Sequence, residues 1–126
     1  REGISIQPET IQLPATNRSL LVEMAGGLMV PLTKQFLVLD LIVQLKLPVV
    51  LVSRYYLGSI NHTILSAAVL RQANVPVLGL VFNGTENKAS REAILRFTGL
   101  PVLGHVHQEA AIDVAMIQRY AEQFRA

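Results

Sequence analysis

The sequence predicts an α/β fold with a mainly parallel sheet flanked by helices, and three observations carry that prediction. Short β-branched apolar runs alternate with longer stretches in which apolar residues recur at helical spacing. Three times an apolar run is entered through X-Pro-Val, at Leu47-Pro48-Val49, Val75-Pro76-Val77 and Leu100-Pro101-Val102. Proline is tolerated at the first residue of a strand, so this punctuation fits a repeated βαβ unit. Finally, 51% of the 126 residues are apolar and the mean hydropathy is +0.40. Glu23, Asp40, Lys46, Arg54 and Arg71 nevertheless interrupt every apolar run before the roughly 18 residues a membrane span needs. The apolar surplus therefore belongs in strands covered on both faces and in a subunit interface.

Taken in order, residues 20–23 form a short apolar strand that ends in Glu23 and turns at once through Ala25, Gly26 and Gly27. A helix over roughly 35–45 leads to a β-branched strand at 48–53. A second helix, 60–73, shows Ile60, Ile64, Leu65, Ala68 and Val69 at helical spacing and stops at Asn74. Strand 75–82 ends at the turn dipeptide Asn83-Gly84. A helix at 90–97, a strand at 100–106 and a helix at 110–124 complete one domain, residues 1–126. The stretch 7–19 is polar and poorly periodic, and its middle reads as loop.

Composition removes several function classes. A net charge of +2, with lysines and arginines spread singly, gives no nucleic-acid footprint, and four Phe with three Tyr give no stacking platform. The lack of cysteine removes thiolate metal sites and a cysteine nucleophile. Neither Gly-x-Ser-x-Gly nor the phosphate-binding loop Gly-x4-Gly-Lys-Ser/Thr occurs. Arg1-Glu2-Gly3 opens without a charged-then-apolar leader, so the expected address is cytoplasmic. A first residue of Arg rather than Met points to a fragment.

In a parallel sheet the carboxyl ends of the strands form the ligand edge, which gathers Glu23, Arg54 to Gly58, Asn83-Gly84 and His105 to Gln108. Glu23 reads either as a ligand residue or as a strand-end carboxylate that caps a helix or pairs with a lysine. Gly58 and Ser59 at a helix start leave backbone N–H groups free for a carboxylate or phosphate, even where Ser59 also caps the helix. Asn61 can donate its amide to the same anion, whereas His62 reads as a packed or surface residue. The Asn83 amide offers the donors and acceptor that a purine presents in complement, although Asn-Gly by itself is a turn. His105 and His107 share a face at i, i+2 spacing but lack a third ligand for zinc.

The run Val22-Glu23-Met24-Ala25-Gly26-Gly27-Leu28-Met29-Val30-Pro31-Leu32 resembles dethiobiotin synthetase. The resemblance continues in order through Asp40-Leu41-Ile42, Leu47 to Val52, Leu57-Gly58-Ser59-Ile60-Asn61-His62-Thr63, Val81-Phe82-Asn83 and Gly99 to Gly104. It implies a P-loop-type ATPase fold of the Rossmann-like three-layer kind, working as a cytoplasmic homodimer. The implied reaction uses ATP and Mg²⁺ to carboxylate 7,8-diaminopelargonate with CO₂ or bicarbonate and close the ring of dethiobiotin. By the same resemblance Glu23 holds Mg²⁺, and Gly26 and Gly27 lie against the diamine and phosphates. Gly58, Ser59 and Asn61 hold the substrate carboxylate across the dimer interface, and Asn83 with Gly84 meets the adenine.

Three departures stand out. Met24 replaces a glycine, and His105-Val106-His107 replaces a polar-Ile-Pro run, so no adenine contact carries over from that last loop. The N-terminal half of the family pattern, with its phosphate loop and lysines, has no counterpart here, so no catalytic residue is assigned. Residues 1–6 resemble the family's segment just upstream of Val22. The contrasting expectation is a non-catalytic dimerisation or ligand-binding module of the same fold. An incomplete sheet of this kind is expected to self-associate through its unpaired edge.

Overall fold

A computed structural model describes residues 6–124. The upstream resemblance in residues 1–5 lies outside them. The chain divides into two compact units, Arg1–Leu47 and Pro48–Ala126.

The second unit is the sheet expected from the sequence. Strands β1 (Val49–Arg54), β2 (Val77–Asn83) and β3 (Val102–Val106) are all parallel and lie in the order β1-β2-β3. Helix α2 (Ser59–Gln72) joins β1 to β2, α3 (Lys88–Thr98) joins β2 to β3, and α4 (Val114–Gln123) follows β3. Each X-Pro-Val entry precedes a strand directly, because Pro48, Pro76 and Pro101 sit one residue before β1, β2 and β3. Asn74 takes the left-handed conformation (φ 55°) just past α2 and ends it. The Asn87 side chain accepts from Ser90 N–H at the start of α3, and Asp113 does the same for Met116 at the start of α4.

Alternation along the strands decides where the core lies. Leu51, Ser53, Leu80, Phe82 and Val102 share one face, and α2 packs on β1, on β2 and against α3. Phe82, Leu80 and Ile94 are fully buried and form its centre, with Leu51, Tyr55, Leu95, Leu100 and Val102 around them. Arg71 ties the two helices together by donating to the Thr98 carbonyl at 3.0 Å. On the opposite face, Val50, Val52, Leu78 and Leu103 stay exposed.

The first unit holds one 3-10 turn, Pro8–Thr10, and helix α1 (Val38–Leu45). The Leu37 N–H donates to Asp40 Oδ2 at 2.7 Å and fixes the helix start. Val38, Leu41 and Ile42 form its buried stripe at i, i+3, i+4 spacing. Gln44 Nε2 donates to the carbonyls of Pro8 and Ile11, which fastens the 3-10 turn to this helix. Residues 20–23 correct the sequence reading, because they are not a strand. A strand exists only by hydrogen bonding to a neighbour, and among the described residues this segment has none, so Leu21 is left 91% exposed. Glu23 is likewise exposed and ends no strand. Among the described residues no helix is long and apolar enough to cross a membrane.

Candidate functional site

In the Pro48–Ala126 unit the carboxyl ends of the three strands open onto one cleft of about 250 Å³. Arg54 and Tyr55 line it from the end of β1, Asn83, Gly84 and Thr85 from β2, and Gln108 from the segment after β3. Asn83, Gly84 and two of the other edge segments named from sequence are therefore brought together.

Hydrogen bonds fix the floor of the cleft. Tyr55 N–H donates to the Asn83 carbonyl at 3.3 Å, and Gly84 N–H donates to the Val106 carbonyl at 2.9 Å. His105 Nε2–H donates to the Gly84 carbonyl at 2.8 Å, so β2 and β3 are clasped at their ends by two opposed bonds. The His105 ring also meets the edges of Tyr55 and Phe82, and His107 lies 4.1 Å from it, centroid to centroid. The replacement of the family's polar-Ile-Pro run thus supplies a structural clasp. Tyr55 stacks on Phe82 at 5.5 Å. Its hydroxyl is shut off from solvent with no hydrogen-bond partner among the described residues. Burial first, and the Glu86 carboxylate second, push the Tyr55 phenol above its ordinary range, with Arg91 opposing.

The second feature is the start of α2. Gly58 takes φ +97°, which only glycine adopts readily, and it is the residue that caps the helix. Ser59 is the first helical residue and not the cap, and it is buried. This corrects the expectation that its hydroxyl caps the turn. Because glycine has no side chain to fill the cap, no side chain bonds the first-turn amides, of which Ser59 N–H donates to the Tyr56 carbonyl at 3.0 Å, and Asn61 stands exposed beside them. Below the turn, the hydroxyls of Ser53 and Thr63 share a buried 2.8 Å hydrogen bond that pins α2 to β1. Above it, Tyr56 Oη and His62 Nδ1 lie 2.7 Å apart, which places His62 on the surface as expected.

Glu23, Gly26 and Gly27 belong to the Arg1–Leu47 unit. Gly26 turns with φ +81°, and a Cβ there would come within 3.0 Å of Val30 Cγ2. The exposed Glu23 carboxylate is a hard oxygen donor of the kind magnesium prefers. Among the described residues there is no group of three or more His, Cys, Asp or Glu able to hold a metal ion. A lone carboxylate makes no magnesium site by itself, so Glu23 could serve only as one ligand beside oxygens from outside this segment.

Sequence reasoning placed Tyr55 on the ligand edge within Arg54 to Gly58, but it did not single out Thr85 as a cleft residue, nor Tyr120, which bonds to the segment after β3 from α4. Tyr120 carries no local signal, since an aromatic residue in an amphipathic helix reads as core.

Comparison with known proteins follows the same lines. A family model described as AAA domain matches residues 1–115. The ATP-dependent dethiobiotin synthetase of Cytophaga hutchinsonii is 48% identical over 121 residues, covering 95% of this chain and 59% of that protein. That of Christiangramia forsetii is 41% identical over 98% of this chain and 59% of its own length. That of Paramagnetospirillum magneticum is 44% identical over 93% of this chain and 57% of its own length. The chain therefore spans a little under three fifths of these relatives.

Proposed function

Starting from a chain that belongs to the AAA domain family, we propose that it is part of a dethiobiotin synthetase of biotin biosynthesis, working in the cytoplasm. The observation that carries the reading is the cleft at the strand ends, where Asn83, Gly84 and Gln108 converge. It coincides with 38–48% identity to proteins named ATP-dependent dethiobiotin synthetase. The two units are read as parts of one ATPase domain, residues 1–126.

Asn83 and Gly84 take the adenine side of ATP. The Asn83 amide can both donate to a purine ring nitrogen and accept from its amino group. Gly58, Ser59 and Asn61 hold the carboxylate of 7,8-diaminopelargonate through first-turn amides and the helix dipole. This site serves the partner subunit of a homodimer. Leu57 is fully exposed beside it, with Tyr56, Ile60 and Leu65 also exposed, an apolar set that a second subunit would cover. By the family resemblance Glu23 would hold Mg²⁺, and Gly26 and Gly27 would let backbone approach the diamine and phosphates.

The chemistry proceeds by charge and position. One amine takes up CO₂ as a carbamate, whose oxygen attacks the γ-phosphate and forms a mixed anhydride while ADP leaves. The second amine then attacks the carbamoyl carbon, closing the ring and expelling phosphate. Bound Mg²⁺ supplies neutralisation of the phosphate charge. No catalytic residue is assigned within this chain, whose contribution is to hold and orient substrates.

The test is ADP release by the full-length gene product. Release that requires both the diamine and bicarbonate supports the reading; ADP release indifferent to the diamine contradicts it.

A further inference from the structure

Helix α4 lies outside every motif considered above, yet it bonds to the segment that carries the cleft residue Gln108. Tyr120 is its buried residue, at 7% exposure. The Tyr120 hydroxyl accepts from His107 N–H at 2.9 Å and donates to Glu109 Oε1 at 2.6 Å. Arg119 Nη2 meets the same carboxylate oxygen at 2.8 Å. Gln108, the one cleft residue contributed after β3, stands between the two bonded positions.

We propose that Tyr120 is a positioning residue for the cleft, holding the His107-Gln108-Glu109 segment so that Gln108 faces Asn83. The proposal rests on the nucleotide reading of that cleft and adds a control on its affinity. A part-buried hydroxyl that both donates and accepts acts as a strut, since it ties the His107 backbone and the Glu109 carboxylate to one point on α4. The strut needs a fixed base, and α4 has one. The Phe124 ring packs on Gly104 so closely that a Cβ there would lie 2.5 Å from it. Phe124, the residue that caps the end of α4, and Tyr120 four residues before it thus hold β3 and its following segment. The Tyr120 hydroxyl first, and Arg119 second, also hold the Glu109 carboxyl below the ordinary carboxylate range, as a paired group should be.

The test compares Tyr120→Phe with Glu109→Gln in the full chain. Phenylalanine keeps the ring packing but loses both bonds, whereas glutamine keeps an oxygen to accept from Tyr120. Binding of Mg-ATP is measured by titration, and amide hydrogen exchange is followed at His107 and at Leu80. Tyr120→Phe should weaken Mg-ATP about tenfold, the factor that corresponds to about one hydrogen bond. It should also speed exchange at His107 while Leu80 is unchanged, with Glu109→Gln, which keeps an acceptor for Tyr120 but loses the charge, falling between the two proteins. Wild-type binding that Tyr120→Phe leaves unchanged overturns this proposal alone. A wild-type chain that takes up no Mg-ATP overturns the nucleotide reading and the proposal with it.

Discussion

The two units of this chain are both apolar, yet among the described residues only the second turns that composition into a sheet. In the Pro48–Ala126 unit, β2 has a hydrogen-bonding neighbour on each side, and its Leu80 and Phe82 are fully buried. In the Arg1–Leu47 unit, residues 20–22 are equally apolar, but no described residue pairs with them and Leu21 lies open. Apolar content sets the driving force, and the availability of a neighbour decides whether an extended segment becomes a strand. Function follows the same division. The cleft belongs to the unit whose strand ends are fixed by their pairing, and Glu23 sits where the chain is exposed.

The contrast is broken most strongly at the core. Phe82→Ala should cost about 3–5 kcal/mol in denaturant unfolding, because it empties the centre of the sheet unit. Leu21→Ala should stay within about 0.5 kcal/mol. Equal losses at the two positions would show that residues 20–22 are packed after all. Next comes the pin beneath α2. Ser53→Ala leaves the buried Thr63 hydroxyl unpaired and should cost about 1–3 kcal/mol, most of it recovered in Ser53→Ala/Thr63→Val. Tyr55→Phe removes a buried hydroxyl that has no partner, and should leave stability unchanged or raise it by about 1 kcal/mol. A clear loss on that substitution would mean that the hydroxyl is bonded in solution.

The smallest effect is a dependence on acid. Glu109 is held below its ordinary value of 4.5 when folded, so its contribution is fully present above that value. It is lost as the pH falls through the lower folded value. Protection of the His107 amide should therefore fall toward that of Glu109→Gln on acidification below about pH 4.5, a change that the variant, which has no such titration, does not show. Identical acid profiles for the two proteins would remove Glu109 from the clasp.

Much of the sheet unit was legible in the sequence because its signals are local. The X-Pro-Val entries preceded all three strands, Asn74 stopped α2, and Asn83-Gly84 closed β2 at the ligand edge. The helix bounds moved by a few residues, toward the caps Asn87 and Asp113. What could not be read depends on partners distant in sequence. A strand at 20–23 was expected from its apolar run, but pairing is not written in a run. The His105 clasp and the Tyr120 strut were equally hidden. They join residues 21, 13 and 11 positions apart, and no spacing rule brings these together.

The account stands or falls on what the strand-end cleft binds. The direct measurement is an amide chemical-shift map of the ¹⁵N-labelled chain titrated with Mg-ATP. Saturable shifts centred on Asn83, Gly84, Thr85 and Gln108, with Leu13 and Gln44 unmoved, are the predicted result. Shifts that spare the cleft and gather elsewhere would contradict it.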